Sequence, residues 1–119
     1  MVVINIKKQV IPIDFGEFQL EFSKSDANLK KLTDFGKELE EKAKVIVENA
    51  DDDVIDKAKE ILELAYDGVF GQGVFAKVYA LSGESTVDTL NYYFEAMNGI
   101  EEEYASEKDK ELLKKYLGS

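Results

Sequence analysis

Apolar and polar residues alternate near the start of the chain, then recur every three or four positions through the rest of it. Ile11, Ile13 and Phe15 fall on one side of an extended segment, and Val10, Pro12 and Asp14 on the other. Beyond Gly16-Glu17, Phe18, Leu20 and Phe22 alternate with Gln19, Glu21 and Ser23. A two-residue period on either side of a Gly-containing turn predicts a β-hairpin over about residues 9–22. Pro12, the one proline, has no N–H to give a ladder, so its strand is expected at an edge. Val2, Ile4 and Ile6 carry the alternation backwards and suggest an earlier strand. A lone hairpin is marginal in water, so its apolar face must rest on helices.

The helical period begins after Ser25, a good N-cap, with Asp26 favouring the positive end of the helix dipole. Leu29, Leu32, Phe35, Gly36, Leu39, Ala43, Ile46, Val47 and Ala50 share one stripe, about 120° wide on a helical wheel. Asn49 and Asp51-Asp52-Asp53 end this helix. Asp52 or Asp53 is expected to cap a second, whose Val54, Ala58, Ile61, Leu62 and Ala65 face one way. Glycines at 68, 71 and 73 then break the period. A short helix from Val74 to Leu81 is expected to follow and to end on Gly83 at C′. Ser85 should cap a fourth helix, with Asp88 at N3 in a capping-box role. Its stripe is Val87, Leu90, Tyr93, Phe94, Met97, Ile100 and Tyr104, with Gly99 as a kink or an end. A last polar helix is expected over about residues 107–117.

These elements define an α+β, predominantly helical fold: an N-terminal β-hairpin packed on a bundle of four or five helices. The 119 residues read as a single domain, with residues 1–24 the hairpin region and 25–119 the helical region. Neither an internal repeat nor a low-complexity linker interrupts it.

Composition narrows the chemistry more than any motif does. The chain has no histidine, cysteine, arginine or tryptophan. Proton transfer near neutral pH usually falls to His, thiolate chemistry to Cys, and bidentate grip on carboxylate or phosphate to Arg. The expectation is therefore a non-enzymatic protein with no catalytic residues, no cofactor and no metal. The net charge is −10. Lys7, Lys8 and Lys24 cancel Asp14, Glu17 and Glu21, so the whole acidic excess follows residue 24. Phosphate binding rests on Lys and Arg, so nucleic acid and anionic membrane are not expected partners. The opening MVVINIKKQV is too short and too interrupted by Lys for a signal h-region, and no apolar run approaches a membrane span. A cytoplasmic location is expected.

The sharper chemical readings fail on spacing. A calcium loop begun at Asp51 puts Asp56 at the glycine position and Leu62 at that of the bidentate Glu. Begun at Asp52, it gains Glu63 at the last position but has Val54 as a ligand and Lys57 for the glycine. An inter-helix cap and turn explains these acids better. Gly71 and Gly73 lack the Lys-Ser/Thr ending of a phosphate loop and the preceding strand of a dinucleotide fingerprint. They are expected to permit a tight bend. Pairs such as Glu60/Glu63 are ordinary in a chain with 25 acids.

Two residues stand off the stripes. Val45 points opposite the apolar face of the first helix, and Tyr92 lies about 140° around the fourth from Val87. Isolated exposed apolar residues are common, but aromatics are enriched at binding hot spots. Candidate partner-binding residues are therefore Tyr92, Val45, and the Phe70, Phe75 and Tyr79 of the Gly-rich connection. The last three have a competing role, packing beneath the hairpin.

The stretch ILELAYDGVFGQGVFAKVYALSGESTVDTLNYYFEAMNGIEEEY, preceded by VIPIDFGEFQLEFSKSDANLKKL, resembles small acidic proteins encoded in the tail modules of phages and prophages of Gram-positive bacteria. They are of the tail assembly chaperone type. The likeness spans residues 10–104 in layout, and Tyr66 to Gly73 is its most distinctive portion. It implies a chaperone in virion assembly that binds tape-measure or tail-tube protein in the host cytoplasm. Self-association is a further expectation. The competing expectation is an acidic DNA-mimic decoy that inhibits a host nucleic-acid-binding protein. A decoy needs rows of acids at phosphate-like spacing, which the lysines of KKLTDFGKELEEKAK dilute.

Overall fold

A computed structural model describes residues 1–4 and 10–104. It is predominantly helical α+β, with an antiparallel hairpin set against four helices. Strand β1 (Val10–Asp14) pairs with β2 (Gln19–Ser23), placing Ile11 opposite Phe22 and Ile13 opposite Leu20. The turn is closed by the Phe15 N–H donating to the Phe18 carbonyl at 2.9 Å, and Asp14 Oδ1 accepts from the Gly16 N–H at 2.7 Å. Bonded pairs therefore alternate at 15/18, 13/20 and 11/22, and Pro12 falls at a non-bonded position, opposite Glu21. Its ring costs the ladder nothing there. The earlier strand expected from Val2 and Ile4 is not seen: Met1 to Ile4 are unpaired and exposed, and Ile6 lies outside the described residues.

Helix α1 (Asp26–Glu48) starts at Ser25, whose Oγ accepts from the Asn28 N–H at 3.1 Å. The buried Asn28 amide also donates to the Ser23 carbonyl, tying hairpin to helix. Leu32, Gly36 and Leu39 are buried as the period requires. A Cβ on Gly36 would sit 2.7 Å from Met97 Sδ, so the bare backbone lets α1 and the last helix approach closely. Val47, 87% exposed, and Ala50, beyond the helix, are not core residues. The stripe they extend continues past the point where anything packs against it.

Helix α2 (Asp52–Phe70) is capped by Asp51, whose Oδ1 accepts from the Val54 N–H at 2.9 Å, and not by Asp52 or Asp53. It folds back along α1 and buries Ala58, Leu62, Ala65, Tyr66 and Val69. Helix α3 (Val74–Leu81) follows the bend at Gly71 and Gly73, both at positive φ. It ends in a Schellman motif: Glu84 N–H reaches the Tyr79 carbonyl at 2.9 Å and Gly83 N–H that of Ala80 at 3.1 Å.

Helix α4 (Thr86–Tyr104) has Ser85 as its cap, accepting from the Asp88 N–H. The reciprocal half of a capping box is absent, because Ser82 Oγ accepts the Ser85 N–H instead. Val87 is 42% exposed and leaves the stripe, while Thr86, Thr89 and Ala96 are buried in it. The face is therefore rotated toward Thr89, Tyr93 and Ala96. Gly99 neither ends the helix nor marks a boundary. The polar helix expected over 107–117 lies outside the described residues.

Fully buried Phe22, Leu32, Leu62, Tyr66, Tyr93 and Ile100 form the centre of the core. Tyr66 and Tyr93 meet edge to face at 5.5 Å, and Phe70 joins them to Phe22 of the hairpin at 6.3 Å. Such pairs contribute about 0.5–1.5 kcal/mol beyond burial. Both phenols are also bonded: Tyr66 O–H donates to the Thr89 carbonyl at 2.6 Å and Tyr93 O–H to that of Leu32 at 2.8 Å. Burial pushes both well above the ordinary 10.0, and for Tyr66 the neighbouring Tyr93, Glu95 and Tyr92 add to it.

Candidate functional site

Where the hairpin turn meets α3 and α4, the surface opens into a groove of about 480 Å³. One wall is the turn. Phe15 and Phe18 stack there at 5.3 Å, nearly parallel, because Gly16 at φ 93° lets the chain reverse between them. Lys77 of α3 reaches over the Phe18 ring at 5.9 Å. The other wall is α4, where Tyr92, Glu95 and Ala96 share a face through their three- and four-residue spacing. Val78 and Leu81 form the floor.

The groove is apolar at its base and acidic at its rim. Ile13 and Phe15 are half-buried, Leu81 is 40% exposed and Tyr92 37%. Among the described residues, Asp14, Glu17 and Glu95 are its charged lining residues. A site so built suits an apolar side chain carried on a positively charged segment. Among the described residues, no three Asp or Glu side chains gather into a metal-holding group, and no helix is long and apolar enough to cross a membrane. A second concavity, of about 570 Å³, lies along α2 between Glu60, Glu63, Leu64 and Asp67. Among the described residues, Leu64 is its sole large apolar side chain.

Of the five residues singled out from the sequence, Tyr92 alone lines the groove. It stands about 40° from Ala96 around α4, so it flanks the buried face and is not remote from it. Phe75, 6% exposed, is part of the core, and its backbone N–H donates to Asp67 Oδ1 at 3.0 Å. Phe70 is half-buried against Phe22, so it does pack beneath the hairpin. Tyr79 stacks on Phe75 at 5.2 Å with Lys59 over its ring at 4.6 Å. Val45 is exposed near the end of α1, far along the chain from any groove residue. The sequence reading missed Phe15, Leu81 and Glu95. Two phenylalanines flanking a Gly-Glu turn were the available signal: a turn with aromatics on both shoulders must lay them on something.

The arrangement defines a class: a helical α+β domain with an acid-rimmed apolar groove. No protein-family model, curated protein or solved structure matches the chain.

Proposed function

We propose that this domain is a non-enzymatic protein-binding factor, a phage tail assembly chaperone or a related tail-module protein. Its partner in this reading is tape-measure or tail-tube protein, held in the cytoplasm of the host during virion assembly. The observation that supports protein binding is the groove, where partly exposed Tyr92, Leu81 and Phe15 line one hollow with the carboxylates of Asp14, Glu17 and Glu95. Such clusters of accessible aromatic and aliphatic surface are where partner side chains anchor. The acidic rim repels phosphate, so nucleic acid and anionic lipid are poor occupants. The tail-module assignment draws on the resemblance of residues 10–104.

Co-expression with the products of neighbouring tail-module genes tests the reading. Co-purification with tape-measure or tail-tube protein is expected, and its loss on Tyr92→Lys with the fold intact by circular dichroism. Absence of any such complex from the wild-type chain rejects it.

A further inference from the structure

Building on the protein-binding reading, we infer that the groove between the hairpin turn and α4 receives a basic amphipathic helix, seated by an apolar side chain and held by flanking lysines or arginines. Charge is the first argument. Asp14 and Glu17 stand on one wall and Glu95 on the other, and among the described residues no lysine lines the groove. The nearest cation of α3, Lys77, is laid over the Phe18 ring. An incoming segment therefore meets carboxylates from two sides and an apolar floor between them. An acidic or neutral segment would leave those charges unpaired as it displaced their water.

The shape of the occupant follows from the strand that borders the groove. An extended partner would have to pair with the backbone edge of β1 that no strand among the described residues covers, where the outward groups belong to Val10, Pro12 and Asp14. Pro12 has no N–H, so continuous pairing along this edge fails at its middle position. Recognition must then run through side chains, and a helix presents them on one face at i, i+3, i+4 and i+7. Asp88, exposed, stands one turn before Tyr92 on α4, so acidic character continues along that helix beyond the groove itself.

The probe is a synthetic amphipathic helix of about 14 residues, roughly four turns, with leucines on one face and lysines beside them. Two controls carry glutamate for lysine or serine for leucine. Isotope-labelled full-length protein reports binding through its amide shifts. The lysine peptide is expected to move Phe15, Leu81, Tyr92 and Ala96. The doubly substituted Glu17→Lys, Glu95→Lys chain should bind it about tenfold more weakly and gain affinity for the glutamate peptide. Equal binding of lysine and glutamate peptides overturns the inference, as do shifts confined to the α2 face around Leu64. If the lysine peptide fails while tail proteins still co-purify, the groove assignment falls and the protein-binding role stands. If the peptide binds and no tail protein co-purifies, the groove is as described and the tail-module role falls.

Discussion

Tyr93 carries more of this fold than its position in a helical stripe suggests. Its ring packs on Tyr66, and its hydroxyl reaches from α4 to the Leu32 carbonyl of α1. Tyr93→Phe keeps the ring and removes that bond, so it should cost about 1 kcal/mol in urea unfolding. Tyr93→Ala should cost about 3–5 kcal/mol, as for other large aromatic truncations. The two buried phenols also set a pH limit. Their proton is held in the folded state at pH values where an unfolded phenol, with its pKa at 10.0, has released it. The stabilisation is therefore complete below about pH 10. Above it, each phenol costs up to about 1.4 kcal/mol per pH unit. Urea midpoints should be level from about pH 7 to pH 9 and fall steeply beyond, together with the rise in tyrosinate absorbance. Tyr66→Phe should reduce that fall. The period placed Tyr93 on the apolar stripe of its helix, but it carries no information about which carbonyl a hydroxyl meets. The Gly36–Met97 approach was invisible for the same reason, since 61 positions separate the two residues along the chain.

Among the elements, α3 shows how a short helix can be held from outside. Gly73 precedes it and has no side chain to offer, so the start of α3 is not capped by its own N-cap residue. The carboxylate of Asp67, still within α2, supplies the missing acceptor to the Phe75 N–H at 3.0 Å. A negative charge at that end also complements the helix dipole. Asp67→Ala should therefore cost about 1–2 kcal/mol, on the scale of other lost caps. It should loosen the 71–81 segment ahead of the rest, seen as faster proteolysis there. The starts of α1 and α4 and both ends of α3 were legible in the sequence, because Ser25, Gly83 and Ser85 act locally. By contrast, α2 runs through Gly68, expected to break it, to Phe70, and α4 runs past Gly99 to Tyr104. Asp51, Asp52 and Asp53 are chemically alike, so pattern alone could not choose the one with cap geometry. Val47 and Val87 were misplaced for another reason. A wheel says which residues share a face, but not how far a neighbouring element extends to cover it. The Asp67 contact crosses the Gly-rich bend and had no signature in spacing.

At the scale of the molecule, the order of elements and the predominance of helix followed from two periods, one of about 2 and one of about 3.6 residues. The groove did not. It is made by a turn and two helices that approach one another only after folding, and its charge comes from three acids scattered over 82 positions, from Asp14 to Glu95. Tyr92 was the one thread leading to it. The acidic excess likewise read as a property of the whole surface until the rim placed part of it beside exposed apolar atoms. Ionic strength separates the two roles. Added salt should weaken the lysine-peptide complex steadily while leaving the urea midpoint of the free protein nearly unchanged, since the single ion pair among the described residues, Lys57–Asp53, is exposed.

The two phenol hydroxyls fasten α4 on both sides, to α1 through Tyr93 and from α2 through Tyr66. Amides near its middle, from Tyr93 to Met97, should therefore exchange with deuterium only when the entire chain opens. Those of the two-stranded hairpin should exchange by smaller, earlier excursions. A guest entering between them would meet one unyielding bank and one that shifts to fit, so the tip around Phe15 and Glu17, and not α4, would carry the adjustment from one occupant to another.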